Sequence, residues 1–324
     1  MPDQSKAPQA SVVIATRDRV RSLDRLFGAL ERQAHEGVEF EVVLVDDGSR
    51  DGTAETVSRF AARKICPLRY IRLEASRGPA VARNRGWRAA RAPIIAFTDD
   101  DCQPESGWLA AGLAEFSDGI GVVQGRTQAQ PGAEGYGEHF SRTMEAREED
   151  GHYPTCNIFY RREALERAGG FDEGFRHACG EDTDLAWRVK GLGYESRFSA
   201  GALVIHEVRP PSFGIFLRER RRFADQILLV KRHPHLRRFY YRRYFYQRSH
   251  VHAIASLVLI GMVVAGAHTA AALLPVVWLD RFRHTRIAGR WTERARIAAE
   301  LLVGDLWELC VFCYWSLRYG ALLL

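Results

Sequence analysis

The sequence predicts an α/β domain on a mostly parallel sheet flanked by helices, followed by an apolar helical, membrane-associated appendage. Three observations lead there. Short apolar runs alternate with amphipathic stretches from residue 10 onward, several of those runs end abruptly in acids or turn residues, and a long uncharged segment follows much later. Alternating strand and helix signals are the pattern of a parallel sheet covered by helices.

Ser11–Thr16 is the first strand, leading through the polar turn Arg17-Asp18-Arg19 into a helix marked by Leu23, Leu26, Phe27 and Leu30. That spacing puts the four apolar side chains on one helical face. Phe40–Val45 is the second strand; Asp46-Asp47 end it, and Gly48-Ser49-Arg50-Asp51-Gly52-Thr53 is a tight turn that opens an amphipathic helix around Ala54–Ala62. Ser49, Asp51 or Thr53 can cap that helix. Leu68–Leu73 is a third strand, and Ile94–Thr98 a fourth that ends in Asp99-Asp100-Asp101. In open α/β sheets ligands bind beyond the carboxyl ends of the strands, so these polar signatures converge on one edge. Three adjacent carboxylates repel one another, and a cation reconciles them. Oxygen-only ligands suit Mg²⁺ or Mn²⁺, which are commonly shared with substrate phosphates. Taken alone, the triplet is more often an acidic turn in solvent.

Five segments in order change that balance: Ser11–Arg19, Val42–Thr53, Arg77–Gly86 with its Gly-Pro turn, Ala96–Trp108, and Gly169-Gly170-Phe171-Asp172 followed by Gly180–Arg188. Together they resemble the landmarks of family 2 glycosyltransferases over roughly residues 10 to 225. The resemblance implies a GT-A (Rossmann-like) fold and transfer of a sugar from a nucleotide-sugar donor with inversion at the anomeric carbon. It places Thr16, Arg17, Asp46, Asp47, Arg83, Asn84, Asp99 and Asp100 on the donor, with Asp47 accepting from the base and Asp46 behind it. A carboxylate only accepts hydrogen bonds, which suits a ring N–H and favours a UDP-sugar, although guanine offers such a donor too. Asp101 and Asp99 become metal ligands, with His206 at the end of the apolar run Leu203–Ile205 as a third; the middle acid leaves the register open. Arg83 and Asn84 are equally read as residues of a helix N-terminus. Asp182 is the implied catalytic base, Glu181 the fallback, and Asp184 a helix N-terminal acid. Trp108 follows a corner of the family's type, or is plain core packing. The irregular segment Gly125–Asp150 and Tyr153–Asn157 are where the resemblance puts the acceptor-facing surface.

The balance of charge is +6 and uneven. Arginines between Arg218 and Arg248 are interleaved with Phe239, Tyr240, Tyr241, Tyr244, Phe245 and Tyr246, a mixture that fits nucleic acid or the border of a membrane. Val251–Leu279, which carries no charge, decides for membrane lipids and against nucleic acid. It is long enough to span, yet Arg281, Arg283, Arg286 and Arg290 lie on its far side, so a hairpin near Gly266–Thr269 or an in-plane association keeps both basic clusters together. Ala298–Leu324 reads as an amphipathic interfacial helix. A helical core packed on the catalytic domain is the plain alternative for both tails. The expected division is a disordered stretch 1–9, a catalytic domain 10–225 and a basic, aromatic, membrane-associated region 226–324. No apolar run opens the chain, and the six cysteines follow no framework spacing, so a reduced protein at the cytoplasmic face of the inner membrane is expected.

Such a placement favours a lipid-linked or envelope-glycan acceptor. The Gln-x-x-Arg-Trp signature of processive synthases is absent around Arg218–Gln226, which favours single transfer. Two other classes stand beside this reading. A nucleotidyltransferase of related fold would carry a Gly-rich loop after the first strand, where Ala15–Arg19 has no glycine. A non-catalytic nucleotide-sugar scaffold would be expected to have lost some of the acids.

Overall fold

The computed structural model describes residues 7–34, 37–134, 136–137, 139–175, 177–283 and 290–324. Most of the stretch expected to be disordered, and Gly135, Glu138 and Arg286 of the expected loop and basic cluster, lie outside the described residues. The chain forms two units, one of residues 1–136 and 142–210 and one of residues 137–141 and 211–324. The division comes earlier than the boundary at 225 read from the sequence, because the segment after Pro210 packs with the helices that follow it.

In the first unit the order is β1 (Ala10–Thr16), α1 (Val20–Gln33), β2 (Phe40–Asp46), α2 (Thr53–Ala62), β3 (Leu68–Arg72), α3 (Pro79–Ala89), β4 (Ile94–Thr98), β5 (Cys102–Pro104), α4 (Trp108–Ala114), β6 (Ile120–Ala129), β7 (Asn157–Arg161), α5 (Arg162–Ala168), α6 (Glu181–Gly191) and β8 (Glu195–His206). The strands form one sheet in the order β3-β2-β1-β4-β7-β6-β8-β5. The first four run parallel, with Thr16 opposite Asp46 and Ala10 opposite Ile94, so the polar ends of β1, β2 and β4 share one edge as expected. The remainder departs from the mostly parallel expectation. β7 is antiparallel to β4 and β6, and β5 is antiparallel to β8, which makes the sheet mixed.

Alternate residues of the buried strands feed two cores. Val12, Ile14, Val42 and Leu44 pack on one face with Leu23, Leu26, Leu30 and Trp108; Val13, Val43, Ile95 and Phe97 pack on the other with Trp87, Phe171 and Leu185. The antiparallel half is pinned by Asn157. Its Nδ2 donates to the carbonyls of Arg126 and Ala202, and its Oδ1 accepts from Trp108 Nε1, each at 2.8 Å. Trp108 is therefore core. Tyr153–Asn157, part of the segment expected to face the acceptor, are all buried, and Asn157 is the first residue of β7.

The second unit contains α7 (Phe213–Arg220), α8 (Ala224–Arg232), α9 (Arg248–Val264), α10 (Leu274–Phe282) and α11 (Trp291–Tyr319), with 3-10 turns at Arg221–Phe223, Pro234–Phe239 and His268–Leu273. Ile227, Val230, Tyr240, Phe312 and Leu323 form its core. Val251–Leu279 is not one span. Gly266, at φ +98°, ends α9 in a conformation glycine adopts without strain, and the chain turns back into α10. Among the described residues no helix is long and apolar enough to cross a membrane.

Asn157→Ala leaves two carbonyls and an indole N–H unpaired in the core. We expect a loss of about 2–4 kcal/mol in unfolding free energy, measured by denaturant titration; an unchanged midpoint would show that the sheet half does not depend on this amide.

Candidate active site

The site grows from the turns that close the sheet edge. Asp18 adopts φ +51°, its N–H donates to Ser49 Oγ at 3.0 Å and its carboxylate accepts from the Arg50 N–H at 2.7 Å. Asp51 accepts from the N–H groups of Val20 and Thr53, the latter at the start of α2. The turns after β1 and β2 are thus tied to each other by side chains.

The two acids after β2 divide their work. Asp46 is fully buried and accepts from the Ser49 N–H at 2.7 Å and the Tyr70 hydroxyl at 2.6 Å, so it braces the turn. Asp47 gathers Ser76 Oγ, Arg77 N and Gly78 N at 2.7, 2.7 and 3.0 Å. Gly78 sits at φ +93° just before Pro79 opens α3, and this loop closes over the Asp47 carboxylate. Of the three contacts, Oδ1 receives one, which leaves it capacity for a further N–H donor.

At the end of β4 each acid has its own partner. Thr16 Oγ1 donates to Asp100 Oδ2 at 2.7 Å, so Thr16 positions the middle acid. Burial, with Asp101 beside it, pushes the Asp100 carboxyl up to about 7. Asp101 is equally buried, but His206, Arg19 and Arg209 outweigh that burial and hold it well below the usual carboxylate range. Its Oδ2 takes Arg19 Nη1 at 2.5 Å and Arg209 Nη2 at 2.7 Å. Its Oδ1 faces His206 Nε2 at 3.6 Å, because the antiparallel pairing of β5 with β8 sets Cys102 opposite His206. His206 Nδ1 lies 2.9 Å from the Glu207 carbonyl, which orients the ring with Nε2 toward Asp101.

Asp101, Cys102 and His206 offer ligand atoms within 4.8 Å of one another. The Cys102 thiol, buried and beside Cys156, is pushed far above its ordinary range and stays protonated, so the hard and borderline donors are the carboxylate and the imidazole. That pair fits a divalent cation that completes its shell with phosphate oxygens and water.

Arg83 connects this edge to α6. It is almost fully buried, with Nη2 on Asp99 Oδ1 at 2.9 Å and Nη1 on Glu181 Oε1 at 2.7 Å. Gly180, at φ +93°, turns the chain into α6 so that Glu181, Asp182 and Asp184 fall in its first turn. Glu181 is dry, its Oε2 has no hydrogen-bond partner among the described residues, and burial with Asp182 beside it raises its carboxyl to about 7. Half-buried Asp182 uses Oδ1 for the Thr183 N–H at 2.8 Å and leaves Oδ2 without a partner among the described residues. Burial raises it to about 6. Asp184 pairs with Arg188 one turn on, at 2.8 Å.

Two expected donor residues stand elsewhere. Arg17 is exposed and pairs with Asp18. Asn84 turns toward the core: Nδ2 donates to the Phe171 carbonyl and to Glu173, and Oδ1 accepts from Phe171 N and Trp87 Nε1. In their place the structure brings in Arg19 and Arg209, which the sequence reading did not single out. Arg19 had a signal, its position three residues past a strand whose neighbours end in acids; Arg209 had none short of the β5–β8 pairing.

The sequence profile of "Glycosyl transferase family 2" matches residues 11–179, more than half of the chain. The chain belongs to that family. Glycosyltransferase AglE of Haloferax volcanii is 27% identical over 271 residues, covering 82% of this chain and 84% of that one. The pre-mycofactocin glycosyltransferase of Mycobacterium tuberculosis is 31% identical over 215 residues, covering 61% of this chain; the match spans 43% of the relative's length. A mannosyltransferase from Pyrobaculum calidifontis, solved in complex with GDP-Man and Mn²⁺, superposes with a TM-score of 0.64 over 96% of this chain and 89% of its own at 20% identity. TarS 1–349 of S. aureus with UDP-GlcNAc gives 0.54 over 97% and 92% at 18% identity. These likenesses establish a GT-A-like fold, and family membership makes the protein a glycosyltransferase.

Arg83→Met leaves two acids without their shared cation, one of them dry. We expect it to destabilise the protein by about 3–5 kcal/mol, with Arg83→Lys recovering part of the loss, in thermal or denaturant unfolding. Equal stability of both variants with the parent would remove Arg83 from the framework of the site.

Proposed function

We propose that the protein is a metal-dependent, inverting glycosyltransferase that moves one sugar from a nucleoside-diphosphate sugar, UDP-sugar by preference, to a hydroxyl of a lipid-linked or envelope-glycan acceptor at the cytoplasmic membrane face. The observation that carries this reading is the arrangement at one sheet edge. Glu181, next to Asp182 in the first turn of α6, is joined through Arg83 to Asp99 after β4, Asp182 keeps Oδ2 without a partner among the described residues, and the Asp101–His206 pair stands among the β4 acids. Support for the donor class comes from the GDP-Man and UDP-GlcNAc held by the two structural neighbours.

In this reading Asp47 accepts the N–H of the base through the free capacity of Oδ1, which uracil and guanine both satisfy. Asp101 and His206 would hold Mg²⁺ or Mn²⁺, with Asp99 facing the ribose or the metal. When bound, the cation stabilises charge on the departing diphosphate. Arg19 and Arg209, already at this edge, add positive charge beside the phosphates. Asp182 Oδ2 takes the proton from the acceptor hydroxyl as its oxygen attacks the anomeric carbon, a displacement that inverts that centre. Glu181 holds Arg83, and burial with Asp99 nearby keeps the Asp182 carboxyl at a raised pKa.

Two expectations follow. A base acts only when ionised, and a raised pKa means protonation begins early as pH falls. The rate kcat/KM is expected to be level above about 6 and to drop about tenfold per pH unit beneath it. Asp182→Asn is expected to lower transfer by about 10²–10⁴-fold while donor affinity stays unchanged; full turnover in that variant would remove the base assignment. In a panel of nucleotide sugars, Mn²⁺-supported turnover of one donor, lost with EDTA and with Asp101→Ala, is the expected result. Turnover unaffected by EDTA would overturn the metal dependence.

A further inference from the structure

The second unit carries a projection that water does not explain. From Leu257 to Leu279 the chain has no charged residue, and within that stretch only Ala270 is buried. Val258 is 56% exposed, Val264 82%, Val276 59% and Leu279 73%. No residue of α10 is buried. In α9 the exposed Leu257, Val258, Ile260, Met262 and Val264 cover an arc of about 200°, and the partly buried Leu259 and Val263 fill the remaining side, so this stretch of the helix is apolar round its circumference. A helix pair contacting a protein partner needs one apolar face; one that is apolar round its circumference belongs in a core or in lipid.

The root of the projection is polar. Arg248 and His252, at the start of α9, both meet Asp280, near the end of α10, at 2.7 Å. Arg281 continues to Asp305 of α11 at 2.7 Å. Trp278 lies just outside this clasp, partly exposed, at the level where indoles settle between hydrocarbon and headgroups. Arg242 and Arg243 precede α9 and Arg248 opens it, while Arg281 lies in the last turn of α10 and Arg283 just after it, so the turn brings both basic clusters to the root.

We propose that the α9–α10 hairpin enters one leaflet of an anionic bilayer and does not cross it. Lipid is favoured over a second copy of the chain because the projection is apolar on every side and its root is basic, complementary to anionic headgroups. Length sets the depth. Residues 253–264 of α9 rise about 18 Å. One leaflet offers about 15 Å of hydrocarbon, and the full core about 30 Å. The inference stands on the second unit alone and is independent of the catalytic assignments.

The test uses the full chain and a variant with Leu257, Val258, Met262, Val264, Val276 and Leu279 replaced by serine. Both are mixed with vesicles of phosphatidylcholine, with and without phosphatidylglycerol, and recovered by flotation. The parent is expected to float with the anionic vesicles, more weakly with neutral ones, and the variant to bind at least about tenfold less. Unchanged thermal unfolding and donor turnover in the variant show that the loss is not misfolding. Equal flotation of parent and variant would overturn the proposal. So would a parent that ignores vesicles and sediments as a dimer that the variant cannot form. Depth is read with Ala267→Cys, in a chain lacking the exposed Cys310 and Cys313. An impermeant maleimide trapped inside the vesicle is expected not to reach it; labelling from inside means a hairpin that crosses.

Discussion

The sheet edge depends on how its negative charge is compensated, and Arg83 is the centre of that compensation. Asp46, Asp47, Asp99, Asp100, Asp101, Glu181 and Asp182 meet at or near one edge, and most of them are dry. A desolvated carboxylate is costly unless a cation or several hydrogen-bond donors face it. Two solutions coexist. The β2 acids take their hydrogen bonds from neutral groups, namely backbone N–H, a serine and a tyrosine, with the Arg72 guanidinium standing 3.9 Å from Asp46. The β4 and α6 acids are satisfied by guanidinium groups: Arg83 between Asp99 and Glu181, Arg19 and Arg209 on Asp101. Neutral partners keep Asp47 an acceptor with capacity to spare, whereas guanidinium partners make the β4 edge both acidic and basic. A diphosphate brought there meets fixed positive charge as well as carboxylates.

The same division separates Asp182 from its neighbours. Glu181 is spent on Arg83, Asp184 on Arg188, and half-buried Asp182 keeps one oxygen without a partner among the described residues. Of the three acids in the first turn of α6, it alone combines access with a raised affinity for a proton. The framework acids supply part of that affinity, because Asp99 lies near enough to disfavour a second negative charge.

What was legible in the sequence follows from how local each signal is. β1, β2 and β4 were readable because apolar runs of five to seven residues ending in turn chemistry need no distant partner to declare themselves, and β3 because Leu68, Tyr70 and Ile71 stand between arginines. The mixed half of the sheet was not. β7 pairs with β4 across an insertion, and β5 is a three-residue strand that exists only through β8. Arg209 was invisible for the same reason, since nothing in its vicinity points to an acid 108 positions earlier. Asn84 misled in the other direction. Beside Arg83 in a Gly-Pro-opened helix it reads as a polar pair facing a ligand, yet adjacent helical positions point about 100° apart, so when Arg83 faces the acids Asn84 faces the core.

The apolar tail shows what a hydropathy reading averages away. A charge-free stretch from Val251 to Leu279 sums to the length of a span, but Gly266 and Pro275 interrupt it and the chain reverses. Read as a span, the segment puts one basic cluster on each side of a membrane, against the usual asymmetry of arginines. Read as a hairpin, it returns both clusters to one side, and Asp280 then pairs with Arg248 and His252 where a straight helix would have kept them far apart. The conflict in the charge pattern was therefore the stronger signal. Arginines on both flanks of an apolar run argue for a chain that comes back.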